Sequence, residues 1–311
     1  MRKVIGIGET LLDIIFRNNQ PEKATPGGST FNCMVSLGRC NVPALFISEL
    51  GKDRTGCLLR DFMQENNLST DYIDFFDDGN TPVSLAFLDE NQQAEYQFFR
   101  AFPERRLQTA FPEINADDIL ILSSYFALNP ELHEKVYELL QHAKQQKAIV
   151  YYDINFRKAH ASERDGLIPA FLENVAHASV VRCSDEDLEN LFPGKAIEFV
   201  YREYIAPRCE NFIVTRGKEA IRLKTPVFEK SYSVKAVLPI STIGAGDNFN
   251  AGIIYGLLKN KILLNDLAGL DEKRWDELII NGKAFAENTC LSLENFISKD
   301  FAGQNLLLRN G

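Results

Sequence analysis

The chain has 311 residues and a formal net charge of −9 at pH 7, with 45% hydrophobic and 25% charged residues. This ordinary globular composition excludes a disordered, fibrous or coiled-coil protein. Because the average surface repels nucleic acid and anionic lipid, we expect no nucleic-acid partner and no membrane partner, and an anionic ligand must be held by a local positive site.

Short apolar runs recur along the chain and predict buried strands. Between them lie helical patterns, the clearest of which covers residues 130–147, with Asn129-Pro130 as its cap and first-turn proline. Alternating strands and helices predict an α/β fold with a mainly parallel sheet, whose ligands gather at the C-terminal ends of the strands. The predicted strands are residues 4–7, 44–47, 119–122, 148–152 and 212–214.

Residues 81–100 break this rhythm. Two alternating β-like halves flank the polar turn Asp89-Glu90-Asn91-Gln92-Gln93, so we predict an antiparallel hairpin off the main sheet. The chain has no internal repeat, low-complexity run or long linker, which argues against domains joined by a tether.

The six cysteines include no C-x-x-C pair, and the four histidines are not at metal-ligand spacing. The first residues, M-R-K-V-I-G-I-G-E-T, lack the apolar centre of a signal peptide. No stretch approaches the roughly 18 apolar residues that a membrane span needs. We therefore expect a complete, cytoplasmic protein with reduced thiols.

Two familiar nucleotide-binding signatures are absent. Gly6-Ile7-Gly8 follows a predicted strand, but Leu11 stands where a dinucleotide fingerprint needs its third glycine. None of the Gly-Lys pairs is followed by the Ser or Thr of a P-loop. A nucleotide must therefore be bound in another way, if one is bound.

A late motif, residues 239–258, reads P-I-S-T-I-G-A-G-D-N-F-N-A-G-I-I-Y-G-L-L. We predict a helix over about residues 247–258, which places free N–H groups and the positive end of the helix dipole beside the carboxylate of Asp247. That carboxylate can accept a proton from an attacking hydroxyl. It can equally cap the helix, and this motif alone does not separate the two roles.

An early motif, residues 26–41, reads P-G-G-S-T-F-N-C-M-V-S-L-G-R-C-N, and Gly51-Lys52-Asp53-Arg54-Thr55-Gly56 follows the next strand. Its two glycines open a helix whose first turn carries Asn32, a donor and acceptor suited to hydroxyl recognition. With the late motif, these segments resemble the signatures G-G-x-x-x-N, G-x-D-x-x-G and D-T-x-G-A-G-D-x-F of the ribokinase-like (PfkB) family of carbohydrate and nucleoside kinases. The resemblance covers nearly the whole chain.

The resemblance implies a three-layer α/β/α sandwich, a single ribokinase-like domain over residues 1–311, and a small β-sheet lid formed by about residues 12–25 and 81–106. It implies an ATP- and Mg²⁺-dependent sugar kinase that phosphorylates a primary hydroxyl, most like a fructokinase. Alternatives are a 2-keto-3-deoxy sugar acid kinase, a nucleoside kinase and a non-catalytic sugar-binding protein of this fold. Apolar lid strands could pair two subunits into a homodimer.

By position, the resemblance assigns Asp247 as the catalytic base beside an anion hole of backbone N–H groups. The glycine-rich turn before it supplies that hole, from Gly244, Ala245 and Gly246. Three residues match contacts to sugar hydroxyls, namely Asp13, Gly28 and Asn32. Without the resemblance, a simple strand-end acid is the commoner explanation of Asp13.

Two further segments add candidates for substrate contact. F-F-R, which ends at Arg100, is similar to the F-Y-R of sugar kinases in this family, and Y-D-I-N-F-R over residues 152–157 resembles a D-x-N-x-R segment of fructokinase-like members. A solvated arginine and a polar strand-to-helix turn explain the same residues without function. The candidates are Arg100, Asp153, Asn155 and Arg157.

The resemblance also assigns a nucleotide side and a metal side. V-T-R-G-K-E over residues 214–219 matches the T-x-G-x-x-G loop except for Ala220, and a late helix is expected near the adenine. These segments give Thr215, Gly217, Lys218 and Asn288 as nucleotide contacts, and the counterpart of the family's N-x-x-E segment gives Glu186 and Asp187 as Mg²⁺ contacts, through water. Ser241 replaces an acid that helps to hold a monovalent cation, which argues against potassium activation.

Overall fold

The computed structural model describes residues 2–90, 94–235 and 237–307. The strands in chain order are β1 Val4–Ile7, β2 Leu11–Arg17, β3 Gln20–Gly27, β4 Ala44–Gly51, β5 Leu68–Ser69, β6 Ile73–Phe76, β7 Asn80–Leu88, β8 Ala94–Ala101, β9 Ile119–Ser123, β10 Ile149–Asp153, β11 Val180–Ser184, β12 Phe212–Thr215, β13 Ala220–Lys224 and β14 Glu229–Ser233. The helices are α1 Ser29–Arg39, α2 Arg54–Glu65, α3 His133–Gln145, α4 Arg164–His177, α5 Asp185–Leu191, α6 Ile197–Val200, α7 Ala245–Lys259, α8 Glu272–Cys290 and α9 Lys299–Gln304.

The large sheet has the strand order β14-β13-β12-β11-β10-β9-β1-β4-β5, with β6 also paired to β4. Neighbouring strands from β12 to β5 are parallel, and β13 and β14 extend the sheet in antiparallel fashion. All five predicted strands lie in it, as β1, β4, β9, β10 and β12. The prediction of a mainly parallel sheet is confirmed.

Alternate residues of the central strands enter two separate hydrophobic cores. In β9, Ile119 and Ile121 face the core shared with α1, α7 and α8, whereas Leu120 and Leu122 face the core shared with α3, α4 and α5. Successive side chains of a strand point to opposite faces, so both faces of this sheet are buried under helices. The predicted three-layer α/β/α arrangement is confirmed.

Two predicted helix starts are wrong. α3 begins at His133 because Asn129 closes a preceding turn, accepting N–H bonds from Glu131 at 3.0 Å and Leu132 at 3.0 Å. α7 begins at Ala245, two residues before Asp247, because Gly244 at the N-cap adopts a left-handed conformation with φ of 77°. Asp247 therefore lies inside the first turn and is not the N-cap residue.

A separate four-stranded sheet has the order β3-β2-β7-β8. β7 and β8 pair antiparallel, which confirms the predicted hairpin; residues 91–93 of its predicted turn lie outside the described residues. β8 ends at Ala101, so residues 102–106 continue as a loop. That this sheet acts as a lid stays a prediction.

None of the helices in the described segments is long and apolar enough to cross a membrane.

Candidate active site

The early and late motifs meet at Asp247. Ser29 Oγ donates to Asp247 Oδ1 at 2.8 Å, and Asn32 Nδ2 donates to Asp247 Oδ2 at 2.8 Å across 215 residues of sequence. Gly28 precedes α1 with φ of 127°, where a Cβ would lie 2.1 Å from the Glu9 carbonyl oxygen. A glycine is therefore needed to bring the start of α1 against Glu9 and to seat Ser29 and Asn32 beside the carboxylate.

Burial raises the pKa of Asp247 above its ordinary value. The hydrogen bonds from Asn32 and Ser29, and the charges of Arg157 and Arg182, oppose that rise. A carboxylate whose pKa moves toward neutrality is better suited to accept a proton in a reaction. The two oxygens of Asp247 accept from side chains of α1, so the Asp247 carboxylate does not cap α7.

The first turn of α7 offers backbone donors beside this carboxylate. Within the described residues, the N–H groups of Gly244, Gly246 and Asp247 donate to no protein acceptor, whereas Ala245 N–H donates to the Thr242 carbonyl at 3.2 Å. A Cβ on Gly244 would lie 2.3 Å from the Asn295 carbonyl oxygen. Free N–H groups at a helix start can bind an anion; Ala245 N–H is already bonded to Thr242, and the predicted anion hole stays a prediction.

Arg182, which the sequence analysis missed, lies against this turn. Its guanidinium nitrogens are 3.0 Å from the position that a Cβ on Gly246 would occupy. Arg182 Nη1 pairs with Asp153 at 3.1 Å, and its Nη2 donates to Thr215 Oγ1 at 2.6 Å. The structure thus places a buried positive charge against the first turn of α7.

Asp153 supports this arginine from within the sheet. It is fully buried and also accepts from Asn250 Nδ2 at 2.7 Å. Burial raises its pKa to about 6, although the charge of Arg182 acts in the opposite direction. Asp153, predicted as a substrate contact, thus lies behind Arg182, and Thr215 at the end of β12 accepts from the same guanidinium.

Asp13 of β2 occupies the side of the site formed by the small sheet. Its carboxylate accepts from Ser84 of β7 and, at 3.1 Å, from Asn295 Nδ2. Burial raises the pKa of Asp13 to about 7, and the nearby charges of Glu9 and Asp247 act in the same direction. Asp13 is the third residue of β2, so the strand-end explanation is wrong, and its side chain is a buried acceptor of hydrogen bonds.

The sequence resemblance assigns Asp13 to the contact with a sugar hydroxyl, and under that assignment its pKa predicts a pH dependence of catalysis. Below about pH 7 the group is protonated, and above it the charged form accepts hydroxyl hydrogens more strongly. We expect kcat/KM for the sugar to rise with pH with a midpoint near 7, and we expect the Asp13→Asn variant to lose that midpoint. A midpoint near pH 4 in the unmodified enzyme would contradict this assignment.

Three other predicted substrate contacts have different surroundings. Arg100 pairs with Glu9 through two contacts of 2.5 and 2.7 Å, and its guanidinium lies 4.1 Å from the Phe98 ring centroid. Asn155 Nδ2 donates to Ser29 Oγ at 2.5 Å and so positions Ser29. Arg157 is exposed and forms no ion pair with the described residues, which leaves it available to an anionic ligand.

The nucleotide candidates lie on two elements: Thr215, Gly217 and Lys218 at the end of β12 and in the turn after it, and Asn288 on α8. Gly217 has φ of 49° in an exposed turn that also presents Lys218. Asn288 of α8 uses its side-chain oxygen to accept from Ser298 N–H at 2.8 Å, at the start of α9. The structure does not bring Asn288 and Lys218 into contact with each other.

The metal candidates differ in exposure. Asp187 is buried in a capping box with Ser184, with bonds of 2.7 and 3.0 Å, whereas Glu186 is exposed. Residues 2–90, 94–235 and 237–307 contain no cluster of three or more His, Cys, Asp or Glu that could hold a metal ion alone. Ser241 is buried, and its hydroxyl oxygen accepts from Ile243 N–H at 3.2 Å.

A buried carboxylate beside a helix start with free N–H groups is an arrangement that suits transfer of a phosphoryl group to an alcohol. The chain belongs to the pfkB family of carbohydrate kinases, which matches residues 1–294. This confirms the resemblance to ribokinase-like carbohydrate kinases.

Similar proteins of known or assigned function include several fructokinases. A fructokinase of Rhizobium leguminosarum bv. trifolii is 25% identical over 280 residues, covering 87% of this chain and 84% of that protein. Probable fructokinase-6, chloroplastic, of Arabidopsis thaliana is 25% identical over 283 residues, covering 86% and 73% of the two chains.

Solved structures establish the same fold. The fructokinase of Vibrio cholerae O395 with fructose, ADP and calcium has a TM-score of 0.82 and 21% identity, over 99% of each chain. The aminoimidazole riboside kinase of Salmonella enterica, with aminoimidazole riboside and an ATP analog, has a TM-score of 0.80 and 21% identity. It covers 98% of this chain and 100% of that one.

Proposed function

We propose that the protein transfers the γ-phosphoryl group of ATP to a primary hydroxyl of a small neutral sugar, for which fructose is the best candidate. The observation that carries this proposal is the buried Asp247 carboxylate, held by Ser29 and Asn32 beside free N–H groups of α7. Fructokinases among the relatives support fructose.

In the proposed reaction, Asp247 accepts the proton of the sugar hydroxyl. The hydroxyl oxygen then forms a bond to the γ-phosphorus as the bond from that phosphorus to the bridging oxygen breaks, and ADP leaves with the bond's electron pair. The first turn of α7 and Arg182 face the charge on the transferred group. Such positioning and charge stabilisation account for most of the rate in phosphoryl transfer.

For the nucleotide we propose Thr215, Gly217, Lys218 and Asn288, and for Mg²⁺ the exposed carboxylate of Glu186 with Asp187, through water. Mg²⁺ usually keeps several waters and takes one or two carboxylates; Glu186 is exposed and offers one, whereas Asp187 Oδ2 already accepts from Ser184 N–H. When bound, Mg²⁺ neutralises phosphate charge. We propose no potassium requirement, because Ser241 is neutral, although a Vibrio cholerae fructokinase variant was solved with potassium.

The surroundings of Arg100 favour a neutral acceptor over a sugar acid. The guanidinium edge that would bind a carboxylate is already paired with Glu9. Asn32 Oδ1 and Asn295 Oδ1 are buried and lack partners among the described residues, so they call for hydroxyl or N–H donors. A neutral polyol supplies such donors, whereas an acid adds a negative charge near Asp13 and Asp247.

A panel of acceptors in a coupled ADP-release assay tests the proposed function. We expect D-fructose to give the highest kcat/KM, above other hexoses, 2-keto-3-deoxygluconate and nucleosides. A nucleoside as the best acceptor would favour the second candidate, which the Salmonella enterica neighbour motivates. Sugar binding without turnover of any acceptor would refute the kinase assignment.

Glu9→Gln should free Arg100 for an anionic acceptor. We expect the ratio of kcat/KM for 2-keto-3-deoxygluconate to that for fructose to rise about tenfold, since a charge-assisted bond is worth about 1.5–3 kcal/mol. Glu22→Gln, which removes an exposed partner of Arg17 on the small sheet, is the matched control. An unchanged ratio in Glu9→Gln would show that the Glu9–Arg100 pair does not select the acceptor.

Other expectations stay predictions. We propose a cytoplasmic enzyme that uses sugar and ATP, and a homodimer through the small sheet. The edge strands β3 and β8 of that sheet, with Phe99 of β8 52% exposed, support such a pairing.

A further inference from the structure

Asn295 belongs to no motif, yet its side chain is part of the sugar side of the active site. The residue is 1% exposed. Its Nδ2 donates to Asp13 Oδ2 at 3.1 Å and to the Pro26 carbonyl at 3.4 Å. Its Oδ1 has no partner in the described part of the chain. A buried amide oxygen without a donor is unfavourable unless a ligand supplies one.

The main chain of Asn295 reaches the phosphoryl side of the same site. Its carbonyl oxygen lies 2.3 Å from the position that a Cβ on Gly244 would occupy, so the two backbones are in close contact. Asn248 Nδ2 donates to that oxygen at 2.8 Å and to the Gly244 carbonyl at 2.8 Å. One residue therefore touches Asp13 with its side chain and the start of α7 with its backbone.

The position of Asn295 is fixed by neighbours on α1. Ser36 Oγ donates to Asn248 Oδ1 and accepts from Ile297 N–H at 3.1 Å. These bonds are all between buried groups, where hydrogen bonds are strong and their loss is costly. The segment around Asn295 is thus held in one geometry relative to both α1 and α7.

We propose that Asn295 positions the acceptor sugar: its Nδ2 fixes the Asp13 carboxylate, and its Oδ1 accepts from a second hydroxyl of the sugar. The acceptor class is therefore a sugar with at least two hydroxyls close enough to reach Asp13 and Asn295 together. This inference rests on the proposed function, because it takes the bound acceptor to be a sugar at Asp13. The backbone contact between Asn295 and Gly244 fixes the position of that sugar relative to the start of α7.

The electrostatics of Asp13 supply a specific readout. The carboxylate faces Glu9 and Asp247, and Ser84 and Asn295 are the side-chain donors that stabilise its charged form. When the Asn295 amide is removed, Ser84 is the one of these two donors that still stabilises the Asp13 carboxylate. The charged form of Asp13 then becomes less stable and the group is more protonated at pH 7.

The test is the Asn295→Ala variant of the full chain, assayed with fructose and ATP across pH. We expect the KM for fructose at pH 7 to rise at least tenfold, the KM for ATP to change less than twofold, and the midpoint of kcat/KM for fructose to move to higher pH. Glu294→Gln changes the neighbouring, partly exposed residue, which pairs with Lys23 and Arg39, and should alter none of the three values.

Two outcomes would overturn the inference. One is that Asn295→Ala leaves both the KM for fructose and the pH midpoint of kcat/KM unchanged. The other is an equal rise of both KM values, with a lower Tm and an unmoved midpoint, which would indicate only a loosened fold. An NMR titration of the Asp13 carboxyl carbon needs no turnover: we expect a higher pKa in Asn295→Ala, and an unchanged pKa would also overturn the inference. Failure of the proposed function would instead appear in the unmodified enzyme, as no turnover of any sugar.

Discussion

Asp247→Asn is expected to lower kcat by about 10³-fold, because proton transfer by a positioned base contributes about 10²–10⁴-fold. The fold should stay intact. The amide keeps an oxygen that can accept from Ser29, but it cannot take the proton of the hydroxyl. Burial already disfavours the charged form of Asp247, and Asn32 Oδ1 has no partner among the described residues. A rotation of the Asn32 amide would let that oxygen accept from the new Nδ2, so the Tm should change little.

The coupled ADP-release assay and a thermal melt check this prediction together. Asp61→Asn, which changes an aspartate on α2 that pairs with Arg60 and whose side chain is 59% exposed, is the matched control and should keep its full kcat. Retention of full kcat by Asp247→Asn would mean that this carboxylate is not the base.

Arg182→Met is expected to reduce the free energy of unfolding by about 3–5 kcal/mol, the usual cost of leaving a buried charge without its partner. The Asp153 carboxylate is fully buried, and the Arg182 side chain is 7% exposed, so water cannot replace the lost partner. The double variant Asp153→Asn with Arg182→Met removes both charges and should regain much of that stability.

The same pair of variants separates stability from catalysis. In the double variant we expect kcat to stay about 10²-fold below that of the unmodified enzyme, because the positive charge beside Gly246 is gone. Urea unfolding and the ADP-release assay measure the two effects. A double variant that is stable and fully active would show that Arg182 only pairs with Asp153 and does not stabilise the transferred phosphoryl group.

The site reconciles an acidic protein with an anionic substrate. The chain carries a net charge of −9, yet Arg182, Arg157 and the start of α7 concentrate positive charge around Asp247, where we propose that the phosphates bind. Asp247 stays beside them because Ser29 and Asn32 hold its oxygens. Local donors, and not the overall charge, determine what this cleft can bind.

The sequence predicts the parts of this structure that depend on local pattern. Buried strands appear as apolar runs, and the glycines before α1 and α7 stand where the backbone must approach another segment. Asp247 and Asn32 could be found because each lies in the first turn of such a helix.

The rest depends on contacts between distant segments. Nothing around Asn295 in the sequence indicates that it reaches Asp13, 282 residues away. Arg182 lies in the middle of the buried strand β11, where the sequence does not show whether an arginine faces solvent or Asp153. The Glu9 side chain that pairs with Arg100 is 91 residues distant. Pairings of this kind are fixed by the tertiary fold and leave no pattern in the flanking residues.

The central claim is tested most directly by following the phosphoryl group from ATP to D-fructose and identifying the product by NMR. The account predicts one ADP for each fructose phosphorylated, with the phosphate on a primary hydroxyl, and almost no product from Asp247→Asn. ADP formation that does not depend on a sugar, or equal product from Asp247→Asn, would contradict it.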